Sequence, residues 1–136
     1  MKKIFYTSFV LFLGFFLLFA VSCTEVLPST PTQNSDVRYC LFPTKNMWTF
    51  LKLDTMTGQI WQVQFSTTGD DYRFETILSS VNITDVLKIE KKLGRFTLYP
   101  TENMYNFVML DQINGYTYQV QWNGDKENRF VVPISD

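Results

Sequence analysis

RYCLFPTKNMWTFLKLDTMTGQIWQVQF, residues 38–65, returns without a gap as RFTLYPTENMYNFVMLDQINGYTYQVQW at residues 95–122. The offset is a constant 57, and 13 of the 28 positions are identical. Five more exchange one aromatic ring for another: Tyr39/Phe96, Phe42/Tyr99, Trp48/Tyr105, Trp61/Tyr118 and Phe65/Trp122. Self-similarity this dense marks a duplicated structural unit.

Within the unit, residues 37–42 read as a strand closed by the Pro-Thr-Lys-Asn turn at 43–46. Residues 47–53 read as a second strand, 54–58 as a turn and 59–65 as a third strand. Asp54 opens that turn by bonding its side chain to the backbone beyond it, and Gly58 closes it with a positive φ. Asp111 and Gly115 repeat both, so the two aspartates have a structural role that needs no catalysis. Asn46 and Asn103 should bond the local backbone at the matching Pro-Thr-x-Asn-Met corners. The third strand alternates: Trp61, Val63 and Phe65 against Ile60, Gln62 and Gln64, then Tyr118, Val120 and Trp122 against Thr117, Gln119 and Gln121. Period-2 alternation predicts one buried face and one wetter face, with the glutamines on the wetter one. The second strand carries apolar residues on both sides, which predicts cover on both. After a polar loop, Arg73-Phe74 and Arg129-Phe130 mark a short fourth strand, with one residue deleted relative to the 57 offset.

Between the copies, residues 79–94 read as a helix. Asn82 caps it, Asp85 lies in the first turn, Lys91 and Lys92 in the last, and Gly94 ends it. Ile83, Val86, Leu87 and Leu93 give it an apolar side. The expected fold is mainly β, with two pseudo-twofold related, four-stranded antiparallel repeats joined by one short helix. They would form a sandwich or a barrel-like closure. One domain spans 37–136: repeat one 37–78, the connecting helix 79–94 and repeat two 95–136. The Leu-Asp-x-x-x-Gly-x-x-Trp pattern at 53–61 resembles the turn-plus-tryptophan pattern of β-propeller blades of the quinoprotein type. Its Trp stands one residue early and two blades cannot close a propeller, so the resemblance bears on the hairpin.

The chain has 136 residues, enough for one domain and little more. Rings make up 17% of it and charged side chains only 18%, which predicts a ring-rich core. Twelve basic residues against thirteen acidic ones leave no electrostatic footprint for nucleic acid. Histidine is absent, which excludes His-based general base catalysis and the commonest zinc ligand sets.

The N-terminus carries an address. Met1-Lys2-Lys3 precedes an uncharged run over 4–21, and Ala20-Val21-Ser22-Cys23 follows, the pattern of a secretory signal. This junction resembles the lipobox of bacterial lipoproteins, whose usual form has Leu and then Gly or Ala where Ala20 and Ser22 stand. The resemblance covers the first 23 residues and implies a signal peptide at 1–22 with lipid on Cys23. Two other readings share the same run: an uncleaved anchor, since roughly 20 apolar residues span a bilayer, or ordinary cleavage near Ser22. A lipidated Cys23 cannot pair with Cys40, which then reads as a small apolar residue on its strand. Residues 23–36, with two prolines and many hydroxyl and amide groups, read as a flexible tether. The implied location is the bacterial cell envelope, lipid-anchored at the outer membrane.

No catalytic constellation emerges: there is no Gly-x-Ser-x-Gly elbow, and Cys40 has no histidine partner. Asp70-Asp71 and Asp125/Glu127 lie in polar loops without EF-hand spacing, and solvated charge explains them without a metal. No cofactor is implied. Gln62, Gln64, Gln119 and Gln121, beside the rings of Trp48 and Tyr105, are the candidate ligand-binding set. Planar amides orient a sugar or peptide backbone while rings supply apolar contact. The alternative is two solvent-facing ladders duplicated with the fold. The expected function is a non-enzymatic, membrane-anchored binding module with a protein or glycan partner. A structural subunit of an envelope assembly, or a hydrolase using Asp70 or Asp71, are the other readings.

Overall fold

One turn, built twice, fixes the chain direction in each repeat. Asp54 Oδ1 accepts from Met56 N at 3.0 Å, and Asp111 Oδ1 accepts from Ile113 N at 3.0 Å. Gly58 and Gly115 both sit at φ +76°, where only glycine escapes Cβ strain. The other carboxylate oxygen takes an arginine from the preceding strand entry: Arg38 Nη2 lies 3.1 Å from Asp54 Oδ2, and Arg95 Nη2 lies 2.8 Å from Asp111 Oδ2. Each aspartate therefore ties a turn to the start of its repeat. Asn46 and Asn103 accept from Trp48 N and Tyr105 N at 2.9 and 3.0 Å, so the corners match too.

The computed structural model describes residues 36–135. The expected leader over 1–22, Cys23 and nearly all of the tether lie outside the described residues. Repeat one forms β1 (Tyr39–Pro43), β2 (Thr49–Asp54), β3 (Ile60–Gln64) and β4 (Phe74–Ile77). After α1 (Ile83–Leu87), repeat two forms β5 (Phe96–Pro100), β6 (Asn106–Asp111), β7 (Thr117–Gln121) and β8 (Phe130–Ile134). Single 3-10 turns at Asp70–Tyr72 and Lys126–Asn128 precede the two fourth strands. Each repeat is a separate antiparallel sheet in sequence order, β1-β2-β3-β4 and β5-β6-β7-β8. The fold is thus mainly β with two four-stranded repeats and one small helix. The sheets face each other as a sandwich and do not close into a barrel.

The helix is shorter than the sequence predicts. Asn82 caps it, accepting from Asp85 N at 3.3 Å, but it stops at Lys88, which adopts the left-handed conformation at φ 53°. Gly94 is also left-handed and belongs to the approach to β5. Turning at Lys88 lets Ile89 pack against the core beside Ile83, while Val86 and Leu87 stay exposed. A straight helix to Gly94 would have kept Ile89 on the wrong side.

The faces hold the larger correction. In repeat two the ring-bearing face is buried: Phe96, Leu98, Phe107, Tyr118, Val120 and Trp122 are each at most 6% exposed. In repeat one it is the opposite face, carrying Phe42, Leu51, Leu53, Ile60 and Gln62, that is buried. A twofold axis between the sheets would turn equivalent faces towards each other. Here the glutamine-bearing face of repeat one packs on the ring-bearing face of repeat two, so the sheets stack front to back. Equivalent corners consequently lie side by side: Lys45 Nζ donates to the Glu102 carbonyl at 2.7 Å and meets Glu102 Oε2 at 3.1 Å. The entry to β5 locks the stack, with Phe96 N donating to Thr55 O at 2.9 Å and Gly94 N to Thr55 Oγ1 at 3.1 Å.

Stacking also separates the two arginine–aspartate pairs. The Arg95 side chain is 3% exposed, whereas that of Arg38 is 51% exposed. Asp111→Ala strands a dry guanidinium and should cost about 3–5 kcal/mol. Asp54→Ala removes the same turn bond but leaves Arg38 in water. Urea denaturation should therefore find the Asp54 variant clearly the more stable of the two.

Candidate functional site

Front-to-back stacking leaves the ring-bearing face of the first sheet turned outward. Its central row runs Leu41–Lys52–Trp61–Ile77, and a second row runs Pro43–Phe50–Val63–Glu75. Tyr39 is 49% exposed and Leu41 55%, with Phe65 and Ile77 also open to solvent. Tyr39 meets Trp61 edge-on at 6.3 Å between centroids, and Phe65 contacts Trp48 at 5.3 Å and Phe50 at 6.1 Å. Lys52 Nζ lies 4.6 Å from the Trp61 centroid and pairs with Glu75, while Arg38 Cζ lies 5.1 Å from the Tyr39 centroid. The face thus combines exposed apolar side chains with charged ones laid across its rings. The equivalent rows in repeat two are Leu98–Met109–Tyr118–Pro133 and Pro100–Phe107–Val120–Val131; Leu98, Met109, Tyr118, Phe107 and Val120 are buried in the core, while Pro100 and Pro133 at the row ends are exposed.

The candidate ligand set is divided by the fold. Gln62 is buried between the sheets and Gln64 half-buried beside it. Gln119 and Gln121 lie on the outward face of the second sheet, the far side from Gln62. Gln119 Nε2 donates to Asn106 Oδ1 at 3.0 Å, and Gln121 Nε2 donates to the Asn128 carbonyl at 2.9 Å. Trp48 and Tyr105 are both half-open and lean on Phe65 and Trp122. Trp48 joins the outward ring face, so of the six residues only Trp48 belongs to that surface. Tyr39, Leu41 and Trp61, its main members, were not among the six. Two substitutions mark the face in the sequence: Lys52 and Glu75 stand where repeat two has Met109 and Val131. A charge at a ring-face position is the sign that this copy of the face is wet.

A second concavity, about 350 Å³, lies between α1 and the strands β7 and β8, lined by Val81, Ile83, Leu87, Tyr118, Val131 and Pro133 among others. Its wall is mostly apolar and it aims no buried charge inward. Cys40 is half-buried against the core, and burial pushes its thiol pKa up, the reverse of what a thiolate nucleophile requires. Among the described residues no three His, Cys, Asp or Glu side chains stand close enough to hold a metal ion. The described residues also contain no helix long and apolar enough to cross a membrane.

This arrangement defines a tandem-repeat β domain with two unlike outward faces, one of rings and one of amides. No family model, no curated protein and no solved structure matches the chain.

Duplication left one flaw inside the stack. Gln62 Oε1 and Thr49 Oγ1 are buried without a hydrogen-bond partner. In repeat two the same two positions, Gln119 and Asn106, bond to each other. Threonine at position 49 is a shorter side chain and lacks the amide. A buried acceptor without a partner costs about 1–3 kcal/mol, so Gln62→Met should raise stability by about 1 kcal/mol in thermal or urea melts. Gln119→Met, at an exposed site, should change it by less than about 0.5 kcal/mol.

Proposed function

We propose that the chain is a non-catalytic interaction module of the bacterial cell envelope, anchored through lipid on Cys23 at the outer membrane. Its docking surface is the outward ring face of the first sheet. One observation carries the reading: Tyr39, Leu41 and Phe65 are exposed on this face in repeat one, whereas their counterparts Phe96, Leu98 and Trp122 are buried in repeat two. Sequence that builds a packing surface twice and buries it once leaves the other copy available to a partner. The leader and tether supply the anchoring half of the proposal, since a lipid on Cys23 would hold the domain near a membrane while leaving it free to turn. Rings with a lysine and an arginine over them favour a surface of apolar and planar groups, as a protein face presents.

Two measurements test the two halves. The mature N-terminal peptide from membranes should carry a diacyl or triacyl mass on Cys23, and Cys23→Ser should abolish it with release or precursor build-up. An unmodified N-terminus would sink the lipid anchor. For the docking face, a photo-crosslinking amino acid placed at Leu41 should give discrete adducts in cells, while one at the exposed loop residue Tyr72 should not. No adduct at Leu41 would remove the docking surface.

A further inference from the structure

We infer that the occupant of this face is a second copy of the chain, docked head to tail; the inference rests on the reading of the ring face as a docking surface. The contact inside the chain joins the glutamine-bearing face of one repeat to the ring-bearing face of the next. Each chain therefore keeps one unused half of each kind. The ring half is on repeat one. The glutamine half is on repeat two, where Tyr99 is 44% exposed although its counterpart Phe42 is buried. Val108 and Val132 extend that half across β6 and β8 in the same row as Tyr99 and Gln119. The two halves are complementary by descent, because their duplicates already pack together.

Three details continue the internal contact outward. The corner charge is reversed between repeats, Lys45 in one and Glu102 in the other, and they pair across the internal stack. In a head-to-tail stack Glu102 of one copy meets Lys45 of the next, so opposite charges face each other again. The turn at Gly58 is filled from the connecting helix and the next repeat: a Cβ there would meet Ile83 Cδ1 at 3.1 Å and Phe96 Cδ2 at 3.4 Å. At Gly115 the same space is open, with nothing within 4 Å. Tyr39, the counterpart of Phe96, would enter it from the second copy. Finally, Lys52 and Glu75 replace the apolar Met109 and Val131, which makes the outer contact weaker than the inner one and keeps it reversible. A contact of this kind is heterologous, so it propagates and closes into a ring if the rotation allows. Two to four copies would supply the roughly four to eight four-stranded sheets that known radial arrangements hold.

The test uses the full chain purified in mild detergent, with mass read by sedimentation. Wild type should form a discrete oligomer that dissociates on dilution. Leu41→Arg blocks the ring face and Val108→Arg the glutamine face, so each alone should be monomeric. Their equimolar mixture should recover a one-to-one dimer, because each retains the half the other lost. Lys52→Met with Glu75→Val should tighten association by about tenfold or more. A wild type that stays monomeric at every concentration, a mixture that stays monomeric, or no tightening in the double variant each overturns the second copy. If Leu41 then still crosslinks to a different molecule in cells, the docking face stands and only the self-association falls.

Discussion

A β-sheet with apolar residues on both sides gains from cover on both sides, and that constraint organises this molecule. Each repeat carries Leu, Val and rings on one face and Phe, Leu and Ile on the other. Two such sheets can cover only two of their four faces. The chain covers unlike ones, and every later feature follows from that choice. Equivalent corners come side by side, Phe96 inserts beside the Gly58 turn, and Arg95 dries out while Arg38 stays wet. The connector joins the core through Ile83 at the start of the helix and Ile89 just beyond its end.

Identical sequence then does different work in the two copies. Gln62 is a buried side chain with an unpartnered oxygen, whereas Gln119 is an exposed one bonded to its neighbour. Phe96 is fully buried against the stack, whereas Tyr39 shows half its ring to water. Divergence tracks these environments. Lys52 over Trp61 is tolerable only because that face is open; Met109, at the same position, is sealed.

The sequence was legible where chemistry is local. Asp54, Gly58, Asn46 and their duplicates specify turns through their own side chains or φ angles, and the structure uses each as read. Strand positions followed from those turns within one or two residues. The arginines that clamp Asp54 and Asp111 were not legible, because they act across sixteen residues. The facing of the sheets was not legible either. Alternation in 60–65 and 117–122 differs in residue type only at Ile60 against Thr117, and period alone does not say which side finds a partner. Lys52 against Met109 held that information as a difference between copies. The division of the four glutamines between a buried and an open face follows from the same difference.

Because every strand pairs only with its sequence neighbour, each sheet can zip up from local hairpins with little loop entropy to overcome. Neither sheet gains its apolar cover until the two meet. Hairpin closure takes about 1–10 μs, so docking of the two ladders across the connector between β4 and β5 is the step expected to be slower. Phe96, at the start of β5, and Ile83, at the start of α1, act at that encounter. Lengthening the connector would slow folding while leaving the rate of unfolding nearly untouched.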